Sequence, residues 1–223
     1  MEDQIRAVVF DRDGTLLRYD EEWLLAQLQQ AWPPLTLEVL NSHWGRHAHL
    51  MPATPEGEPE FWLTLWTLFV AAHGGTAADA EELARLAGGY HGAFHPYADT
   101  HDCLNWLRGR GIRLSVLTNH PMVSVAATLR NANVDPGWFD ALINAYPRSK
   151  PDPAAYAKVL TALDLAPQEC LLIDDEPANV RGALEVGMRA VLLDRDNRHA
   201  DDHLPKIYRL DEIGSATTLE LSQ

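Results

Sequence analysis

Cysteine is scarce in this sequence. Only two cysteines, Cys103 and Cys170, occur among its 223 residues, far apart and without the spacing of metal ligands. We therefore expect neither a disulfide framework nor a thiolate zinc site.

The length fits one larger domain with an inserted module better than it fits two full-sized domains.

Basic residues are also few. Eighteen lysines and arginines stand against 32 aspartates and glutamates, which gives a formal net charge of −14. No basic stripe stands out, so the sequence does not predict a groove for nucleic-acid phosphates. A protein this acidic needs a local cation wherever it handles an anionic substrate.

Long apolar runs are missing as well. The most apolar stretch, 61–72, is interrupted by Thr64 and Thr67 and is too short to span a bilayer. The first residues include Glu2 and Asp3 and lack the basic-then-apolar layout of a signal peptide. We therefore expect a cytoplasmic protein without a membrane partner.

Several short apolar segments predict a parallel sheet. They are continuously apolar rather than alternating, as in strands that are covered on both faces. Helix-period stripes lie between them, such as Met122, Val125 and Leu129. This alternation predicts a doubly wound, Rossmann-like α/β core. The segments are IRAVVF at 5–10, IRLSVLTN from Ile112, DALINA from Asp140, CLLIDD from Cys170 and MRAVLLD from Met188.

The segment from residue 17 to about residue 95 follows another pattern. It holds no convincing strand but several amphipathic helical stretches, which proline- and glycine-rich segments separate. We therefore expect an α/β core domain, 1–16 and 96–223, with an all-helical domain, 17–95, inserted after its first strand. The apolar positions are Leu24, Leu28, Ala31 and Trp32 in one stretch, Phe61, Trp62, Leu65, Trp66 and Phe69 in another, and Leu83, Leu86, Ala87 and Tyr90 in a third.

Two of the predicted strands end in pairs of carboxylates. Asp11 and Asp13 follow the first strand, and Asp174 and Asp175 end the fourth. Ligands bind beyond the carboxyl ends of strands in open α/β sheets. Four carboxylates there repel one another unless a cation lies among them, and oxygen-only ligands favour Mg²⁺. The alternative is that each pair caps the following helix, an interpretation that the presence of two pairs disfavours.

A hydroxyl, an amide and an ammonium follow the other strands. Thr118 and Asn119 end the second predicted strand, and Lys150 lies after the third, in SKPDP. Near carboxylates, a hydroxyl and an ammonium can donate hydrogen bonds to phosphate oxygens. Taken singly, Thr118 is equally a helix cap and Lys150 equally a solvated surface lysine, but their order along the chain favours a site.

The order of these motifs resembles that of the haloacid-dehalogenase superfamily, whose members are mostly Mg²⁺-dependent phosphatases and phosphotransferases. DRDGTL at 11–16 is similar to the first motif, DxDGT, and LTN at 117–119 resembles the second. Lys150 resembles the third motif, and IDDEPANV at 173–180 the fourth. The insert matches the cap of the phosphoglycolate-phosphatase-like subgroup, so the resemblance covers essentially the whole chain.

The resemblance implies roles for the four aspartates. Asp11 is the expected nucleophile, which forms an aspartyl-phosphate, and Asp13 is the expected general acid and base. Mg²⁺ is expected to bind the Asp11 carboxylate, the backbone carbonyl of Asp13, and Asp175. Asp174 is expected to ligate the ion directly or through water.

The resemblance also implies roles for the polar side chains around them. Thr118, Asn119 and Lys150 are expected to bind the phosphate, and Lys150 is also expected to keep the nucleophile ionised. Asn179 is expected to orient the metal ligands, with a solvent-exposed amide on a helix face as the alternative.

The cap is expected to select the substrate by closing over the site. The loop 45–57 and the residues just past the first motif are the candidates. The residues in question are Arg18, Tyr19, Arg46 and His47. His43, His47 and His49 also suggest a metal site, but we expect polar surface histidines because no acidic or cysteine partner lies nearby in sequence.

The expected activity is Mg²⁺-dependent hydrolysis of a small phosphate ester by a monomer or homodimer. A phosphomutase of the β-phosphoglucomutase type shares the same core residues and stays open as an alternative. A catalytically silent binding protein is disfavoured because Asp11 and Asp13 are both present. Dehalogenases of the superfamily attack carbon without a metal and lack the acid at the position of Asp13, so we do not expect one here.

Overall fold

The computed structural model describes four stretches of the chain, 5–52, 54–120, 124–200 and 202–216. Glu2, Asp3 and Met122 lie outside these stretches, so the expectations that involve them are not tested. Within the described stretches, no helix combines the length and the apolar character that crossing a bilayer requires.

The described residues form two sheets. Six parallel strands make up the first, and the other two strands make up the second. The strands are β1 (Ala7–Phe10), β2 (Leu17–Tyr19), β3 (Phe94–Pro96), β4 (Arg113–Thr118), β5 (Ala141–Asn144), β6 (Cys170–Asp174), β7 (Arg189–Leu193) and β8 (Lys206–Ile207).

The main sheet has the order β5-β4-β1-β6-β7-β8, and every strand pair in it is parallel. The chain builds outwards from β1 to one side and then from β6 to the other, which is the doubly wound order of Rossmann-like folds. The predicted fold class is therefore confirmed. Each of the apolar segments singled out in the sequence contains one strand of this sheet.

The position of β1 explains its uninterrupted apolar sequence. Val8 pairs with Leu114 of β4 on one side and with Leu171 of β6 on the other. Ala7 and Val9 belong to a core cluster with residues of the helices that follow β5 and β6, such as Val159. With neighbours on both edges and packing on its faces, the strand has no solvent-facing side to make polar.

The helices alternate with the strands of the main sheet and fill most of the insert. They are α1 (Glu21–Leu28), α2 (Leu37–His47), α3 (Glu58–His73), α4 (Ala77–Ala87), α5 (Thr100–Arg108), α6 (Val125–Asn131), α7 (Pro153–Leu163), α8 (Pro177–Glu185) and α9 (Ile213–Ala216). Local signals set their ends: Asp152 caps α7, which begins with a proline, and Asp164 ends it in the left-handed conformation.

The expectation of an all-helical insert was wrong at its two ends. Strands β2 and β3 lie at the beginning and the end of the segment 17–95 and form the two-stranded sheet. The amide of Asp20 continues the link by donating to the carbonyl of Ala93 at 2.8 Å. Three-residue strands are too short to show an alternating pattern, which is why the sequence does not reveal them.

The chain divides into two compact units. Among the described residues, the first unit holds 5–18, 96–120 and 133–216, and the second holds 19–95 and 124–132. Helix α6 thus belongs to the second unit, although the sequence places it in the core domain. That the two units act as core and cap stays a prediction.

Within the second unit, the aromatic stretch of α3 packs as helix core. Trp66 and Phe69 are each 1% exposed. Helix α2, which sequence periodicity does not reveal, includes Gly45, Arg46 and His47, so the expected loop from 45 to 57 was wrong over its first residues. Its start is marked by Thr36, whose side chain accepts a hydrogen bond from the Val39 amide.

His43 is buried, which corrects the expectation of a polar surface histidine. It is 3% exposed, and its Nε2 atom lies 2.9 Å from the carbonyl oxygen of Leu65. Its ring contacts those of His47 and Phe69, with centroids 4.6 and 5.2 Å away. Burial lowers the pKa of His43, and the neighbouring His47 and Arg46 lower it further, against the raising effect of the Leu65 hydrogen bond.

We predict that His43 makes the second unit sensitive to acid. Because its folded-state pKa is lowered, its contribution to stability is complete above the ordinary histidine pKa and is lost as the pH falls. His43→Gln keeps a donor for the Leu65 carbonyl but cannot be protonated, so it is expected to lose less stability between pH 8 and pH 5 than the wild type. Urea unfolding at both pH values measures this. His49→Gln, at an exposed position, is the control, and an equal acid-induced loss in His43→Gln would contradict the prediction.

Candidate active site

The carboxyl ends of three neighbouring strands carry the motif residues. Asp11 directly follows β1, Thr118 is the last residue of β4, and Asp174 is the last residue of β6. The Asp11 amide donates to the Ile173 carbonyl at 2.9 Å, which extends the pairing of β1 and β6 past the end of β1. Asp11 and Asp174 thus lie where the strand order reverses, which is where such sheets bind ligands.

Three of the predicted aspartates converge. One carboxylate oxygen from each of Asp11, Asp174 and Asp175 lies within 4.8 Å of the other two. Asp11 is 9% exposed and Asp174 is fully buried. The carboxylate of Asp13 is not part of this group, and its expected contribution to a metal site is its backbone carbonyl.

Gly14 makes the close approach of Asp175 possible. Its φ is +73°, and a Cβ atom at this position would lie 2.1 Å from Oδ2 of Asp175. Any other residue would be strained by the backbone conformation and would displace this carboxylate. The glycine of the first motif therefore makes room for an acid of the fourth.

Lys150 bridges two of the carboxylates. Its Nζ atom lies 2.9 Å from Oδ1 of Asp11 and 2.6 Å from Oδ2 of Asp174, and its side chain is fully buried. Burial lowers the pKa of Lys150, but the two carboxylates outweigh this effect and raise the pKa above its ordinary value. The lysine is therefore cationic at this site.

The acidic group is not fully neutralised by Lys150. Burial raises the pKa of Asp11 to about 7, and Asp174 and Asp13 add to the rise while Lys150 opposes it. Burial and Asp174 raise the pKa of Asp175 to about 6. The described residues thus leave an excess of negative charge that a bound cation would stabilise.

Thr118 and Asn119 are anchored at the end of β4. Thr118 is 1% exposed, and its Oγ1 atom accepts a hydrogen bond from the His120 amide at 3.3 Å. The Asn119 side chain donates to the carbonyl of Lys150 at 3.0 Å and accepts from the Lys150 amide at 2.8 Å. This pair of hydrogen bonds fixes the backbone of Lys150, a function the sequence does not reveal, while phosphate binding by Asn119 stays a prediction.

Asn179 contacts the acidic group from α8. Its Nδ2 atom donates to Oδ1 of Asp174 at 2.9 Å, and the amide of Glu176 donates to the same oxygen at 3.0 Å. The carbonyl of Asn179 accepts a hydrogen bond from the hydroxyl of the fully buried Tyr156 at 2.7 Å. Asn179 is 7% exposed, so it is not a solvent-facing amide.

Comparison with known proteins identifies the family. Residues 5–187 match the family model described as haloacid dehalogenase-like hydrolase. The chain belongs to this family. The resemblance seen in the four motifs is therefore confirmed, and the protein is a hydrolase.

Proteins similar to this hydrolase include phosphatases in sequence and a dehalogenase in fold. It is 33% identical over 205 residues to Phosphatase MT3486 of Mycobacterium tuberculosis (strain CDC 1551 / Oshkosh), covering 88% of this chain and 91% of that protein. It is 28% identical over 209 residues to phosphoglycolate phosphatase of Pseudomonas putida (strain KT2440), covering 87% and 71%. The crystal structure of 2-haloacid dehalogenase from Pseudomonas syringae pv. Tomato DC3000 has a TM-score of 0.67 at 20% identity, covering 96% and 98%.

Arg12 is a residue of the site that the sequence analysis did not single out. It occupies the variable position of DxDGT in this hydrolase, and its side chain is fully buried. Its Nε atom donates to Oδ1 of Asp13 at 2.8 Å, and its Nη2 atom donates to Oδ2 at 2.7 Å. Both oxygens of the Asp13 carboxylate therefore accept a hydrogen bond from Arg12.

Of the four expected substrate-selecting residues, Arg18 belongs to the first unit, and Tyr19, Arg46 and His47 belong to the second. Arg18 and Tyr19 are exposed in β2, and the Tyr19 ring packs against Phe94 with centroids 5.0 Å apart. Arg46 and His47 lie in the last turn of α2. Their part in the choice of substrate stays a prediction.

Proposed function

We propose that this hydrolase is a Mg²⁺-dependent phosphatase that acts on a small phosphorylated metabolite through an aspartyl-phosphate on Asp11. The main support is the convergence of Asp11, Asp174 and Asp175 within 4.8 Å, together with Lys150 at 2.9 Å from Asp11. The acidic group contains one buried ammonium, which does not balance its negative charge. It can therefore bind an anionic phosphate ester only if a bound cation supplies further positive charge.

The donor set fits Mg²⁺, because every converging side chain offers oxygen, the ligand that this hard cation prefers. Asp11, Asp175 and the backbone carbonyl of Asp13 would hold the ion. Both oxygens of Asp174 already accept hydrogen bonds from Lys150, Asn179 and Glu176, so Asp174 would support the site rather than ligate directly. Bound Mg²⁺ supplies positive charge to the phosphoryl oxygens.

The protein residues carry the chemical steps. An oxygen of Asp11 attacks phosphorus, the bond from phosphorus to the leaving oxygen breaks, and Asp13 gives that oxygen its proton. Asp13 then removes a proton from a water molecule whose oxygen attacks phosphorus, and the bond between phosphorus and the Asp11 oxygen breaks, which releases phosphate and restores Asp11. Lys150 keeps Asp11 ionised, and Thr118 donates a hydrogen bond to a phosphoryl oxygen.

The test is phosphate release from a panel of phosphorylated metabolites, with Mg²⁺ and with excess EDTA. Turnover that requires Mg²⁺ supports the proposal. Isomerisation of glucose 1-phosphate without phosphate release would overturn it in favour of a phosphomutase. Chloride release from 2-chloropropionate that is insensitive to EDTA would overturn it in favour of a dehalogenase, and the absence of metal-dependent turnover across the panel would also contradict it.

Replacing Asp13 tests the acid and base role. Asp13→Asn keeps the shape of the side chain but cannot exchange the proton, so kcat is expected to fall by about 10²–10⁴-fold. The control is Asp196→Asn, because the Asp196 side chain is 71% exposed. A kcat for Asp13→Asn within tenfold of the wild-type value would exclude Asp13 as the acid.

Two further properties stay predictions from the sequence. One is a location in the cytoplasm, and the other is a monomeric or homodimeric state.

A further inference from the structure

Arg195, just past the end of β7, joins two segments that are distant in sequence. Its Nη2 atom donates to the backbone carbonyl of Thr15 at 2.9 Å, within the first motif. Its Nη1 and Nη2 atoms also donate to the two carboxylate oxygens of Asp99, at 2.9 and 3.0 Å. The guanidinium thus binds a carboxylate on one side and the loop that follows Asp11 on the other.

This ion pair is largely removed from water. The side chains of Arg195 and Asp99 are 15% and 4% exposed, and the amide of Leu210 donates a further hydrogen bond to Asp99 at 2.9 Å. Burial alone would raise the pKa of Asp99, but the hydrogen bonds from Arg195 and Leu210 outweigh it and hold the pKa below its ordinary value. Buried two-point pairs of this kind hold their groups in a narrow range of positions.

Residues on either side of Asp99 bind the next carbonyl of the loop, that of Leu16. The carbonyl oxygen of Leu16 accepts hydrogen bonds from the Tyr97 amide at 3.2 Å and from the Thr100 hydroxyl at 2.8 Å. The guanidinium carbon of Arg195 lies 3.9 Å from the centre of the Tyr97 ring. The backbone that leaves the first motif is therefore fixed at two successive carbonyls.

The Asp99 side chain is committed to this pair and not to its local helix. Asp99 occupies the N-cap position of α5 but makes no side-chain capping hydrogen bond there. An aspartate at this position ordinarily accepts hydrogen bonds from the first-turn amides, and that contact stabilises the helix. Here the Asp99 carboxylate accepts hydrogen bonds from Arg195 instead, and Arg195 in turn binds the Thr15 carbonyl.

We propose that Arg195 and Asp99 are positioning residues that hold the loop 11–16, and with it the carboxylate of Asp11, in the geometry needed for attack. Neither residue is among the groups expected to touch the substrate. The proposal rests on Asp11 as the nucleophile, and its effect is expected in kcat because a misplacement of about 1 Å lowers rates by about 10²-fold.

The first test compares Arg195→Ala with Arg209→Ala. Arg209 forms a similar two-point pair with Asp211, but on the surface, with side chains that are 59% and 54% exposed. At a temperature where circular dichroism shows each variant folded, Arg195→Ala is expected to lower kcat by about 10–100-fold with KM changed by less than threefold, and Arg209→Ala to change neither. Unchanged kcat in folded Arg195→Ala would overturn the proposal.

Chemical rescue separates positioning from a general loss of stability. Guanidinium at millimolar concentration is expected to raise the kcat of Arg195→Ala at least threefold and to leave that of Arg209→Ala unaffected. Arg195→Lys, which keeps the charge but cannot reach both Asp99 oxygens and the Thr15 carbonyl together, is expected to retain an intermediate kcat. If neither guanidinium nor lysine restores activity, a positioning role is excluded.

A third measurement does not depend on turnover. Hydrogen exchange in the peptide that spans residues 11–17 is expected to speed up at least tenfold in Arg195→Ala and to stay unchanged in Arg209→Ala. If the wild-type protein shows no phosphatase activity, the function proposed above fails while this measurement still tests the inference. Equal exchange in the two variants would overturn it.

Discussion

Asp11→Asn is expected to abolish turnover while the protein stays folded. Asparagine has almost the same shape as aspartate but cannot form the bond to phosphorus, so phosphate release is expected to fall by about 10³-fold or more. Acid-quenched wild-type protein is expected to carry covalent phosphate on the peptide that contains Asp11, and the variant is expected to carry none. Asp196→Asn serves as the control, and turnover in Asp11→Asn above a few per cent of wild type would exclude Asp11 as the nucleophile.

The same variant is expected to be more stable than the wild type when the metal is removed. Burial raises the pKa of Asp11 to about 7. A raised carboxylate pKa means that the stability contribution of this group is complete at low pH and is lost as the pH rises through about 7. In EDTA, the advantage of Asp11→Asn in urea unfolding is therefore expected to be larger at pH 8 than at pH 5. If the stability difference between Asp11→Asn and the wild type instead grew towards pH 5, the raised pKa of Asp11 would be contradicted.

Lys150→Met is expected to reduce both activity and stability. The Lys150 side chain is fully buried between Asp11 and Asp174, and its loss leaves two buried carboxylates without their cation. Breaking a buried ion pair in this way costs about 3–5 kcal/mol of unfolding free energy. Removing one preorganised charge next to the reacting phosphoryl group is expected to lower kcat by about 10²–10³-fold.

Urea unfolding and steady-state kinetics on folded protein measure the two effects separately. Lys206→Met is the matched control, because Lys206 is also mostly buried and lies 3.4 Å from a single carboxylate oxygen, on Asp194. It is expected to lower stability without lowering kcat more than tenfold. Saturating Mg²⁺ is expected to recover part of the stability of Lys150→Met, since a cation replaces part of the missing charge. Wild-type kcat in Lys150→Met would exclude the assigned role.

The sequence predicted the strands that end at the site because their apolar runs reflect a local physical constraint. A strand such as β1 or β6, which lies inside a parallel sheet, has no solvent-facing side, so its residues are apolar without alternation. The carboxylates that follow these apolar runs are easy to recognise in the sequence because they are charged. The order of the strands then brings Asp11 and Asp174 to the same edge of the sheet.

Short or weakly periodic elements could not be predicted in this way. Strands β2, β3 and β8 contain two or three residues each, fewer than an alternating pattern needs. Helix α2 has His43 as its buried residue, and a histidine does not count towards an apolar stripe. Tertiary pairing and packing, rather than local propensity, stabilise these elements.

Sequence reading and tertiary structure therefore contributed different parts of the site. The motifs and their resemblance to the family named Asp11, Asp175 and Lys150 as candidates, and the structure brings the three side chains together. Only the folded chain showed that Arg12 engages Asp13, that Asn119 fixes the backbone of Lys150, and that Arg195 binds the loop after Asp11. These contacts depend on the direction in which a side chain points and on backbone carbonyls as acceptors. Neither produces a periodic pattern in the sequence.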